Sequence, residues 1–365
     1  MFPLSRVFLY SFLISITFLI PSTLGFPVTE VPDPQYQPFD LPDTVEELDM
    51  QTVIDLFIQF EAVYHKEYMS PLEQAKARAF FQQNVINIIQ LNQKYTNQSL
   101  EFGVNFYSDF SDLEFSEKVA NLHPDDISGQ NLPESVVLKG SKDLEDFPKH
   151  FDWRDRKNTI GGVGNQGYCG CSWGFTIASL LQSTISIQNS HFLKPSEQQL
   201  CDCAQGGNAG CYGGSVQEGL EYVKENGVVT EANYQRNEER EEDFCKTDRD
   251  TIKLSSYQYI SPATSSQIQK VLLQKGPIGV GFKVSNSFRH YRSGVFTLED
   301  CNDKETFLGW HSVTIIGYGT SETGEDFWIA KNSWSPSFGE NGFFRIARNV
   351  DLCEFESKMP VFVEI

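Results

Sequence analysis

No cysteine occurs before Cys169, and all eight then fall between Cys169 and Cys353. Positive charge is scarce as well: 29 Lys and Arg face 49 Asp and Glu, a formal charge of −20 with a pI near 4.7. That shortage excludes nucleic acid as a partner class, because phosphate contacts need a basic surface. It argues in the same way against anionic membranes, and the acidity itself reads as solubility. Only one long apolar run exists, residues 7–20, following Arg6 and followed by the small residues Thr23 and Gly25. It is short for a spanning helix and fits a secretory signal peptide over 1–25. With no second run, the mature chain is expected to be soluble, and a monomer is expected. Internal repeats and low-complexity tracts are missing too. What is there, 365 residues with 40% hydrophobic and 21% charged, reads as globular and as about two units.

Secretion makes disulfides expected, and a cysteine-free stretch ahead of a cysteine-rich one suggests two units with different tasks. After a Pro-rich acidic leader, VIDLFIQFEAVYHKEY and LEQAKARAFFQQNVINIIQLNQKY space apolar residues three and four apart. Two amphipathic helices follow from that spacing. LEFGVNFYSDFS reads as a short β-like piece, and 125–146 as a polar linker suited to nicking. From 147 on, SWGFTIASLLQSTISIQ predicts a helix buried on most sides, with further helices at SEQQLCDC and at SVQEGLEYVKENG, the last closed by Gly227. Beyond about Lys253 the texture turns to strands: PIGVGFKV, GVFTL, HSVTIIGYG, FWIAKNSW and GFFRIARN.

The chemistry concentrates in NQGYCGCSWGF, residues 165–175. A thiol peptidase needs a sulfur at a helix N-terminus, where the dipole favours thiolate. It also needs an imidazole in reach, a group to orient that ring, and a donor for the oxyanion. The signature C-G-[SA]-C-[WY] with His and Asn about 130–150 residues downstream describes one such arrangement. Here CGCSW is followed by GWHSVTIIGYG, holding His311, and KNSW, holding Asn332. Residues 147–365 thus resemble a papain-family peptidase of the cathepsin L type. FDWR, SEQQL with GCYGG, and FGENGFFRI are similar to further blocks of that family. Residues 26–146, with a core at 53–115, resemble its inhibitory propeptide through Glu73, Phe81, Asn84, Ile88 and Asn92, although Ala77 stands at an expected arginine with Arg78 one place late. Gly103 to Asp109 resembles the second propeptide motif, with Tyr107 for phenylalanine.

The resemblance implies an α+β fold: a helical propeptide, then a helical lobe and a β-barrel-like lobe with the cleft between them. It implies Gln166 as oxyanion donor, His311 as general base and acid, Asn332 as its orienter, and Trp334 as their shield. Gly213 and Gly214 would offer backbone to a substrate strand, and Lys358 would sit near the pocket for the second residue before the cut, favouring acidic side chains. The nucleophile position holds Ser172, with Cys171 one place early. A serine lacks the resting ion pair of a thiol and needs full general-base help. Cys171, one helical residue away, points roughly 100° elsewhere. Trp310, Ser335 and Phe338 depart from the family pattern as well.

Family pairing implies Cys169–Cys211, Cys203–Cys245 and Cys301–Cys353. Cys171 and Cys201 are left over; they pair with each other only if their Cα atoms lie within about 7 Å. A zinc reading of C-G-C with C-D-C is set aside, since the gaps are tight and secretion favours bridges, so no metal or cofactor is expected. Asn97 opens a glycosylation sequon. The functional expectation is a secreted or lysosomal zymogen, impaired in proteolysis, that binds peptides or proteins in a retained cleft and holds its own propeptide there. The alternatives are a working endopeptidase using Ser172 or Cys171 with His311 and Asn332, and a structural role.

Overall fold

The computed structural model describes residues 39–96, 99–123, 147–204, 208–235, 245 and 251–365. The expected signal peptide, the sequon at Asn97 and the linker at 125–146 lie outside the described residues. Helix α1 (Met50–Tyr64) begins where the Asp49 carboxylate accepts from the Thr52 N–H at 2.8 Å and ends where His65 turns left-handed at φ 49°. Its buried side is Val53, Leu56, Phe57 and Phe60, the spacing of one helical face. Helix α2 (Pro71–Lys94) is capped by Ser70, and Pro71 sits where no N–H partner is needed. Phe81 of α2 packs on Phe57 and Phe60 with centroids 5.4 and 4.9 Å apart. Strand β1 (Glu101–Phe102) is only two residues long, and α3 (Asp112–Lys118) opens on a capping box formed by Ser111 and Glu114.

The second part starts with β2 (Phe151–Asp152), then α4 (Ser172–Asn189), α5 (Glu197–Cys203) and α6 (Val216–Glu225). Helix α4 is buried along most of its length, and Trp173, Ile177 and Leu181 meet Leu200 of α5 and Leu220 and Val223 of α6 in one core. There follow β3 (Ser256–Tyr259), α7 (Ser265–Gln274), β4 (Ile278–Ser285), α8 (Asn286–Arg289), β5 (Tyr291–Ser293), β6 (Val295–Phe296), β7 (Phe307–Thr320), β8 (Asp326–Lys331), β9 (Phe343–Ala347) and β10 (Val361–Glu364). Eight strands form one sheet in the order β3-β10-β4-β7-β8-β9-β6, with β2 paired to β7. All its pairings are antiparallel except β6 with β9. This is the α+β, two-lobed arrangement expected from the sequence. Helix α7 was hidden by the strand-like texture around it. Thr264 caps it, and Ile268, Val271 and Leu272 form its buried stripe.

The N-terminal helices dock through backbone, charge and rings. Strand β1 pairs antiparallel with β5, Phe102 opposite Tyr291. Arg289 is fully buried there. It donates to Asp112 Oδ1 at 2.9 Å and to the carbonyls of Phe110 and Tyr107 at 2.6 and 3.2 Å. Lys66 is buried too. Its ammonium donates to Asp109 at 2.9 Å and to the Tyr168 hydroxyl at 3.2 Å, and lies 3.8 Å from the Phe106 ring centroid. Tyr168 belongs to the NQGYCGCSWGF segment, so this cation reaches from one part to the other.

Candidate active site

Ser172 is the first residue of α4, with Cys171 at the N-cap position offering no capping oxygen. The end of an 18-residue helix, with its partial positive charge, therefore points at this position. Ser172 is fully buried, and its Oγ accepts from the backbone N–H of Ser312 at 3.3 Å. His311 lies on β7 across the cleft. Its Nε2 is 2.8 Å from Asn332 Oδ1, which also accepts from the Ser333 N–H at 2.8 Å. Because that oxygen can only accept, Nε2 carries the proton and Nδ1 keeps its lone pair. Nδ1 is buried without a hydrogen-bond partner. The Ser172 hydroxyl and the imidazole are therefore unconnected in this state. Trp334 covers the pair, its ring 4.6 Å from that of His311 and 1% exposed.

Gln166 is held on three sides. Its Oε1 accepts from the Ser333 hydroxyl at 2.7 Å, and its Nε2 donates to Cys169 O at 3.0 Å and to Val119 O at 3.1 Å. Val119 follows α3, so a carbonyl of the N-terminal part occupies the amide. The chain continues through the cleft: Leu122 N donates to Trp310 O at 3.0 Å, and His123 N to Gly214 O at 2.8 Å. Gly213, at φ 112°, has room for no side chain, since a Cβ would meet Asn121 O at 2.5 Å. Leu122 comes together with Met359 and the Lys358 stem around Gly281, while the Lys358 ammonium lies 4.8 Å from the Trp310 ring centroid.

The two departures after Asn332 are accommodated locally. Phe338 meets Trp334 edge-on at 4.8 Å. Ser335 adopts φ 76°, a conformation that costs a non-glycine residue on the order of 1 kcal/mol. Four bridges are present: Cys169–Cys211, Cys171–Cys201, Cys203–Cys245 and Cys301–Cys353. The Cys171–Cys201 Cα separation is 5.8 Å. The Cys171 sulfur is therefore bonded and turned toward Gly174, whose missing Cβ would stand 2.8 Å from it. Sequence reasoning did not find Ser312, Arg289, Lys66 or Gly174 as parts of this region. The partners of Arg289 and Lys66 lie far away in the chain, Ser312 acts through its backbone, and Gly174 matters only through the bridge packed against it.

Burial lowers the His311 pKa from its ordinary 6.5 to about 4, the Asn332 hydrogen bond opposing in part. His290, also fully buried and without hydrogen-bond partners, is held well below its ordinary value by burial and by the neighbouring Arg289 charge. The folded chain thus binds fewer protons at these rings than an opened one. The His311 contribution is intact above about pH 6.5 and is lost as pH falls through the window toward 4. For His311 the loss reaches about 3 kcal/mol. Urea midpoints of the full chain between pH 4 and 7 should fall accordingly, and His311→Gln should flatten the slope. An unchanged slope in that variant would assign the effect elsewhere.

Residues 147–363 match the family described as papain family cysteine protease, and residues 57–115 match the cathepsin propeptide inhibitor domain (I29). The chain belongs to the papain family. It is 30% identical over 303 residues to a cathepsin L-like peptidase of Aedes aegypti, covering 80% of this chain and 87% of that protein. It is 32% identical over 305 residues to digestive cysteine proteinase 1 of Homarus americanus, covering 80% and 88%. Among solved structures, the digestive procathepsin L2 proteinase from Tenebrio molitor larval midgut superposes with a TM-score of 0.75 at 28% identity, covering 86% of this chain and all of that one. The recombinant stem bromelain precursor gives 0.72, also at 28% identity. The propeptide lies with the peptidase unit as in such proenzymes.

Proposed function

We propose that this papain-family zymogen is impaired in proteolysis and that its cleft, once the propeptide leaves, holds peptide or protein ligands without turning them over. The observation that carries the reading is Ser172 at the head of α4 with no hydrogen bond to a neutral His311. A hydroxyl has an acidity far below that of a thiol. Neither the helix dipole nor this imidazole is strong enough to create a resting alkoxide. Cys171 offers no substitute while it is bonded to Cys201. Gln166, His311, Asn332 and Trp334 would still shape the oxyanion side of the cleft, and Gly213 and Gly214 its opposite backbone rim.

One observation favours the alternative of slow hydrolysis through Ser172. The Asn332 hydrogen bond fixes the His311 tautomer with the Nδ1 lone pair available, as a general base requires. The expected signal peptide and the four bridges support maturation in the secretory pathway, with the mature part beginning near residue 147 and acting as a monomer. Among the described residues no helix is long and apolar enough to cross a membrane. The test is to incubate propeptide-free protein with a mixture of unmodified peptides and analyse the bound fraction by mass spectrometry. The proposal expects enriched peptides of unchanged length. Cleaved peptides accumulating with each added equivalent would contradict it.

A further inference from the structure

The Cys169, Cys171 and Cys201 sulfurs all lie within 4.8 Å of one another, although they belong to two different bridges. The outer bridge, Cys169–Cys211, is partly exposed at the cleft. The inner one, Cys171–Cys201, is buried, at 0% and 5% exposure. Propeptide residue Asn121 lies on the outer bridge, its amide 3.5 Å from Cys211 O and its oxygen against Gly170. The local backbone is shaped around the inner bridge. At Gly174, in the first turn of α4, a Cβ would stand 2.8 Å from the Cys171 sulfur and 3.5 Å from that of Cys201. Glycine is a poor choice inside a helix, and here its bareness leaves room for the Cys171 sulfur of the inner bridge.

We propose that these four cysteines form a thiol–disulfide exchange centre that takes up a small thiol or a peptide cysteine at the cleft. The entering thiolate attacks the partly exposed Cys211, forms a mixed disulfide there and releases Cys169 as thiolate. Cys169 then attacks the Cys201 sulfur 4.8 Å away or nearer, forming Cys169–Cys201 and releasing Cys171 as thiolate. Each step breaks one S–S bond and makes one, with one thiolate consumed and one released, so no oxidant or reductant is needed. Cys171 is the favoured leaving group because it sits at the N-cap of α4, where the helix dipole favours the thiolate and lowers a thiol's pKa. The second step removes the thiolate that would otherwise re-attack and expel the ligand. This capture is independent of whether Ser172 cleaves peptides.

The test uses the full chain and the same protein after propeptide removal, each incubated with reduced glutathione. The samples are then quenched with an alkylating reagent and digested without reduction for bridge mapping. The expected products are glutathione on Cys211, a Cys169–Cys201 link and alkylated Cys171, more abundant once Asn121 is gone. Cys171→Ala with Cys201→Ala should lower the Cys211 adduct by about tenfold or more, because Cys169 can only reverse the first step. A folded double variant that carries as much Cys211 adduct as the natural chain would overturn the proposal, and if that variant does not fold the wild-type map decides it. Recovery of the original bridges only, adducts confined to Cys203 or Cys245, or a Cys211 adduct with alkylated Cys169 beside an intact inner bridge would overturn it.

Discussion

Ser172→Cys is expected to raise peptide hydrolysis by the propeptide-free protein by at least about 10³-fold, because loss of a hydrolase nucleophile costs on the order of 10⁶ in turnover. The other parts are assembled. His311 is oriented by Asn332 at 2.8 Å, Trp334 shields that bond, and Gln166 is positioned by Ser333. A thiol at residue 172 would meet the positive end of α4 and the Ser312 N–H that now donates to the hydroxyl, and both favour a thiolate. The gain should emerge only after propeptide removal. With the cleft closed, burial keeps His311 neutral and the Val119 carbonyl occupies the Gln166 amide. The measurement is kcat/KM on a fluorogenic peptide at mildly acidic pH, natural protein beside variant. Equal and negligible rates would mean that Trp310 or the inner bridge has also spoiled the cleft.

Asp109→Ala is expected to destabilise the pro-form by about 3–5 kcal/mol, the usual cost of leaving one charge of a buried pair without its partner. The side chains of Lys66 and Asp109 are 1% and 4% exposed, and the carboxylate also accepts from Tyr68 at 2.9 Å. Burial already pulls the Lys66 pKa down, with Asp109 opposing that shift, so removing the carboxylate leaves an ammonium among Phe60, Phe106 and Phe110 with only the Tyr168 hydroxyl to receive it. Denaturant unfolding of the full chain and the rate at which a protease trims the N-terminal helices both read this loss. A Lys66→Met, Asp109→Leu pair should recover much of it, since an apolar pair of similar volume removes the desolvation cost. If the single variant unfolds like the natural chain, this ion pair is not what anchors the propeptide.

Features carried by local pattern were legible from the sequence. The i, i+3, i+4 stripes of α1 and α2 and the apolar runs of β4, β7 and β8 point to one packed face or to full burial. The ordered blocks around Gln166, His311 and Asn332 carried the family. Features made by distant partners were not legible. Arg289 meets Asp112 and the carbonyls of Tyr107 and Phe110 nearly half the chain away, and Lys66 meets Tyr168 across the two parts. Nothing in SFRHYRSG or HKEY distinguishes these cations from surface ones. Helix α7 was hidden because its ten residues are too few to impose a period on the strands around them. The Cys171–Cys201 pairing stayed open because only the fold sets their Cα separation. The direction of the Ser172 hydroxyl depends on a backbone N–H that no side-chain pattern reports.

The most direct test of the impaired-nucleophile account is intact-mass analysis of propeptide-free protein after exposure to a peptide-based, thiol-directed electrophile, natural chain beside Ser172→Cys. The account predicts no adduct on the natural chain and one adduct per molecule, mapped to residue 172, on the variant. An adduct on the natural chain at Ser172 or Cys171, accompanied by loss of peptide hydrolysis, would contradict it.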